Sequence, residues 1–395
     1  MVCAGIRWQG RRGYSLSNGI VRLVVLTGGG HLAEFRFADL VGSSPVSPLW
    51  IPPWRTIEPY SYREHRHSQT YGSIVEGKLL SGLIGHNICL DYFGPPSDEE
   101  AKQGLSHHGE APWSRWRKDL SRVSSSRLIL TLSVKLPVCG LRCKRQIKLV
   151  KDESVVYFRE VVYNERKADH FFQWAQHVTL GPPFLVHDDS VISMPATKGL
   201  TDPHGYGEHR ALLAPNRTFQ WPEAPLFRGG TVDLTRPFLR KGSGFVVALL
   251  LDSRRKLGYI AAINHKLNLV VGYCFSRSDF PWVAIWEENL ALSAPPWRGR
   301  TRARGLEFTT TPLPVARRES FMSGKLFGQS TLTYIPARSS KTVQYLAFIA
   351  RTPTGFGDIR DVMCNEEQII IRGTRAANPI VLKASGASSV AGLST

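Results

Sequence analysis

Ser154-Val155-Val156-Tyr157-Phe158-Arg159-Glu160-Val161-Val162-Tyr163 decides the fold. Ten residues dominated by β-branched and aromatic side chains, with no helical spacing of the apolar positions, describe a pleated strand. The same grammar recurs along the chain, at 19–26, 127–136, 143–149, 171–180, 245–251, 258–264, 267–275 and 342–350. Gly, Pro, Asn and Asp punctuate these runs, as they do between the strands of a β protein. Only 97–103, with Asp98, Glu99 and Glu100 early in the stretch, offers about two turns of helix. The Pro- and Trp-rich stretches 45–59 and 281–297 read as loops laid over a sheet. No repeat of solenoid length is visible, and no shift in composition marks a linker. The expectation is therefore an all-β chain forming one large sandwich domain over 1–383, with a small, polar, disordered tail at 384–395.

Composition narrows the function classes. The 395 residues are 42% hydrophobic and 21% charged, which suits a chain that buries a core and excludes a disordered one. No apolar run approaches the roughly 20 residues of a membrane helix, and 21–26 is too short for a secretory h-region, so a cytoplasmic protein is expected. The six cysteines are scattered; Cys139 and Cys143 form an isolated C-x3-C that lacks the second half of a zinc site. Free buried thiols are the ordinary reading. Fifty Lys and Arg against 32 Asp and Glu give a net charge of +18. The basic residues are dispersed and accompany no nucleic-acid signature, so a basic surface with a general affinity for polyanions is expected, without specific nucleic-acid recognition.

Chemistry-bearing residues gather in three distant segments: Leu105-Ser106-His107-His108-Gly109-Glu110-Ala111-Pro112-Trp113, Gln173-Trp174-Ala175-Gln176-His177-Val178-Thr179-Leu180, and Arg304-Gly305-Leu306-Glu307-Phe308-Thr309-Thr310-Thr311-Pro312. On the second, Gln173, Ala175, His177 and Thr179 share one strand face, and Phe172, Trp174, Val178 and Leu180 favour the other. An imidazole near neutral pH can both give and take a proton, and a carboxylate between Leu306 and Phe308 is expected to be partly desolvated. Ahead of Glu307 runs Arg298-Gly299-Arg300-Thr301-Arg302-Ala303-Arg304. In an extended strand its arginines face away from Glu307, unless a bulge at Gly305 brings Arg304 alongside to hold an anionic group.

In order and spacing these segments resemble the aldose 1-epimerase (galactose mutarotase) family. Gly28-Gly29-Gly30-His31-Leu32-Ala33-Glu34-Phe35 looks like the early strand pair of such proteins. The resemblance implies a large antiparallel β-supersandwich binding a carbohydrate, with no cofactor and no metal. It implies Glu307 as base for the anomeric hydroxyl, His177 as acid for the ring oxygen, and His108 as the imidazole that holds and polarises the sugar. His108 is preferred to His107 because Gly109 follows it. Trp113 and Trp286 are expected as sugar platforms, and Asp233, His86, Asn87 and Arg304 as further substrate contacts. The residues after His177 (Val178 to Phe184) and the segment around His86, without an arginine, depart from the family's spelling.

Two other functions fit the same residues. One is a carbohydrate-binding protein of this fold without catalysis. The other is a metal-dependent barrel enzyme using His65, His67 and Glu76, although that glutamate stands nine residues past His67, farther than such a motif spaces it.

Overall fold

The strand read first lies inside an eight-stranded antiparallel sheet as Val155–Asn164, hydrogen-bonded to Leu141–Val150 on one side and Ser340–Arg351 on the other. The structure, a computed structural model, describes residues 1–38, 46–375 and 378–391, without the side chains of 208, 209 and 391; Pro45 of the first expected loop and 392–395 of the tail lie outside it. Facing this sheet is a thirteen-stranded one. At its centre His86–Cys89, Ala175–Leu180, Arg302–Thr309, Trp282–Asn289 and Ser243–Leu251 lie side by side, each antiparallel to the next. Most sequence-read strands appear within a few residues of their expected bounds. The one expected at 171–180 is broken at Gln173-Trp174 into His170–Phe172, paired in a separate two-stranded sheet, and Ala175–Leu180. The expected helix is Asp98–Lys102, closed by a reciprocal Ser97–Glu100 capping box.

Alternation decides what each sheet face does. Val156, Phe158 and Val162 of one sheet meet Val178, Leu180, Val283, Ile285, Leu306 and Phe308 of the other in one continuous core. Burial of each such side chain stabilises the fold by about 1.5–3 kcal/mol. The opposite face of the eight-stranded sheet, including Val155, Tyr157, Tyr259 and Leu346, is buried too, under Ile359, Val362, Ile369 and Ile371 of a C-terminal three-stranded sheet. That second cover explains why 154–163 is apolar at nearly every position. Ala384, Ala387 and Val390 at the start of the tail are buried in this layer, and Glu153 accepts the Ser385 N–H.

The 281–297 stretch also differs. Trp282–Asn289 is a fully paired central strand. Its Pro- and Trp-rich spelling hides it in the sequence, and the acidic pair Glu287-Glu288 is buried with each carboxylate on its own partner. Among the described residues no helix is long and apolar enough to cross a membrane, and all six cysteines are free.

Candidate active site

Register assembles the site. Ala175–Leu180 pairs with Arg302–Thr309 so that His177 stands directly opposite Glu307, and with His86–Cys89 so that Asn87 stands opposite His177 on the other flank. Directly opposed residues have Cβ atoms about 4.5–5.5 Å apart, close enough for these side chains to touch. His177 Nε2 lies 3.0 Å from Glu307 Oε1. The approach is off-line for a hydrogen bond, so Oε1 remains without a hydrogen-bond partner. His177 Nδ1 is 3.0 Å from Thr179 Oγ1, on the same strand face, which orients the ring with Nε2 toward the carboxylate. Both residues are buried, at 5% and 2% exposure.

Gly305 makes room for this pair. A Cβ there would come 2.1 Å from Glu307 Oε1 and 3.2 Å from His177 Cε1. Opposite Gly305 on the next strand stands Trp286, whose ring meets His177 edge-on at 6.1 Å between centroids.

Above the strands runs the loop of the first segment. His108 has φ +62° and Gly109 φ +79°, and a Cβ on Gly109 would strike the backbone of Leu90 and Asp91. The His-Gly spelling is thus a requirement of the backbone. His108 Nδ1–H donates to the Phe93 carbonyl, leaving Nε2 as an acceptor. Its ring stands edge-on to His177 at 5.1 Å. Desolvation, with His177 and His107 nearby, holds the His108 pKa well below the ordinary imidazole value. His107 shifts downward for the same first reason.

Together these groups line a cavity of about 250 Å³, walled by Leu79, Leu80 and Trp297, with Glu76 and Tyr206 also on its lining. Tyr206 donates to Glu288 Oε2 (2.7 Å) and accepts the Trp286 indole N–H (3.2 Å).

Of the residues expected from sequence, His177, Glu307, His108 and Trp286 line the cavity together and Asn87 stands beside His177; four others do not join them. His86 points into the intersheet core, where its Nε2 bonds Gln176 Oε1, because it has the parity of Val178 and not of His177. Arg304 also faces inward: the register through Gly305 is unbroken, and its guanidinium is held by Glu287 and by the carbonyls of Leu234 and Arg236. Fully buried on the inner side of the sheet, it does not reach the cavity. Asp233 sits in the short strand Thr231–Asp233 at the sheet's far edge, accepting the Thr235 N–H. Trp113 lies outside the cavity with the Lys78 ammonium over its ring at 4.3 Å. Sequence reading missed Tyr206, in Gly205-Tyr206-Gly207, which carries no local signal, and set His107 aside although both imidazoles line the cavity. The barrel alternative fails: His67 Nδ1 accepts the Arg63 N–H, Glu76 lies in this cavity, and among the described residues no metal-ligating cluster forms.

No family model and no curated protein matches the chain. Solved structures do. A Klebsiella pneumoniae protein assigned provisionally as an aldose 1-epimerase superposes with a TM-score of 0.60 over 88% of this chain and 82% of its own, at 14% identity. The fold is galactose mutarotase-like. A galactose mutarotase-like protein from Clostridium acetobutylicum (TM-score 0.54, 13% identity, 89% and 99% covered) and a galactose mutarotase related enzyme from Lactobacillus acidophilus (0.53, 12%, 87% and 98%) share this mutarotase-like architecture. This chain is a divergent example of that fold.

Proposed function

We propose that the protein is an aldose 1-epimerase-like isomerase that interconverts the α and β anomers of a sugar. One observation carries this reading: an imidazole and a carboxylate, 3.0 Å apart, stand on adjacent strands at a cavity walled by apolar and aromatic side chains. Glu307 takes the proton of the anomeric hydroxyl while protonated His177 gives one to the ring oxygen. The bond from C1 to the ring oxygen breaks, leaving an open-chain aldehyde. Rotation about C1–C2 presents the other carbonyl face, and the two proton transfers run in reverse to close the ring. Each positioned acid or base contributes about 10²–10⁴-fold.

His108 takes a role different from the one its resemblance implies. A neutral ring whose Nδ1–H is committed to Phe93 can only accept at Nε2, so it anchors a sugar hydroxyl and does not donate to the ring oxygen. Trp286 and Trp297 supply apolar surface for the C–H face of a pyranose. Polarimetry of freshly dissolved α-glucose and α-galactose tests the proposal. Acceleration of the drift to equilibrium supports it; binding of either sugar by NMR with no acceleration would replace it with a carbohydrate-binding protein.

A further inference from the structure

A second cavity lies far from this chemistry in character, where the two main sheets end. The edge strand of the large sheet, Val2–Trp8, lies against the exposed edge strand of the eight-stranded sheet, Arg117–Val123. Between them opens a groove of about 630 Å³ lined by Arg7, Arg12, Arg115, Arg117 and Lys118, and no described lining residue carries a carboxylate. Glu58 is committed beneath it, accepting the Arg12 backbone N–H and lying 4.0 Å from buried Arg11. Among the described residues none of the five cations has an ion-pair partner: Arg115 and Lys118 rest over the rings of Tyr60 and Tyr14, and Arg7 reaches only the Gly10 carbonyl. Arg7 and Arg12 stand directly opposite each other in the first hairpin. Like charges in that position destabilise a strand pair, so the arrangement favours a bound polyanion.

We infer that this groove binds single-stranded nucleic acid through its phosphate backbone, without reading the bases. Five cations exceed what one phosphate can engage, which points to a chain of phosphates. Their placement within a groove suits a strand better than a flat membrane surface. Tyr60 and Tyr14 lie beneath cations and the Trp116 ring of the lining is buried under Arg145, which leaves no free ring to select a base. The inference is independent of the sugar chemistry.

The test is fluorescence anisotropy of a labelled oligo(dT) 20-mer with the full chain. Each phosphate neutralised on a single strand contributes about −0.7 to the slope of log affinity against log salt, so five predict about −3.5, a loss of about 100-fold between 50 and 200 mM salt. Replacing three cations, R115A/R117A/K118A, should reduce the slope to about −1.4. An equal charge loss elsewhere, R360A/R372A/K383A on exposed positions of the C-terminal sheet, should leave it unchanged. Arg12→Gln relieves the facing pair, so it should weaken binding while the melting temperature holds or rises, which guards against a folding artefact. Equal weakening by both triple variants, no binding at all, or binding only to phosphatidylserine vesicles would each overturn the inference.

Discussion

Two buried carboxylates on neighbouring strands, Glu287 and Glu307, differ in what faces them. Glu287 meets the Arg304 guanidinium and the Phe238 N–H on the inner side of the large sheet; Glu307 meets His177 on the outer side. Each keeps one oxygen without a hydrogen-bond partner. A guanidinium cannot release its proton and an imidazole can. The first pair is therefore a fixed internal strut and the second is able to exchange protons. Burial alone does not separate a structural acid from a chemical one; the partner's proton does.

The largest effect should come from Glu307→Gln, which removes the base: mutarotation should fall about 10³-fold, with the urea midpoint nearly unchanged. Arg304→Met should do the reverse. It strands Glu287 without its cation, costing about 3–5 kcal/mol in chemical denaturation, while the rate per folded molecule persists. If Arg304→Met abolished the rate at full folding, the division between strut and chemistry would be wrong. Gly305→Ala sharpens the comparison, since its Cβ would displace the flexible Glu307 carboxylate and not the backbone. A rate loss of about 100-fold with little change in melting temperature is expected.

Glu110 supplies a third buried carboxyl and the smallest effect. Desolvation pushes its pKa up from 4.5 to about 7, against the backbone N–H groups of Val138 and Cys139 that it accepts. A raised folded pKa means stability present below 4.5 and lost as pH rises through 7. Glu110→Gln should therefore gain about 2 kcal/mol relative to wild type on going from pH 5 to pH 8, read by thermal unfolding at both values.

Much of this was legible in the sequence. The β grammar of 154–163 and its repeats led to the sandwich, and strand parity placed His177 opposite the core and Arg304 away from Glu307. The failures share a cause. His86 and Arg304 are polar residues whose partners, Gln176 and Glu287, come from other strands, and nothing local distinguishes an inward buried pair from a ligand contact. Trp282–Asn289 reads as a loop because the stretch is rich in Pro and Trp, and only the fold supplies Arg304 and Tyr206 to bury its two adjacent glutamates. Tyr206 arrives from a loop with no motif. Parity and composition decide which residues form strands; partners distant in sequence decide what a buried polar side chain is for.

The central claim is best tested by NMR exchange between the anomers of galactose, measured side by side for wild type, Glu307→Gln and Arg304→Met at equal folded concentration. Wild type and Arg304→Met should accelerate exchange alike, and Glu307→Gln should do so about 10³-fold less. Equal acceleration by all three would contradict it.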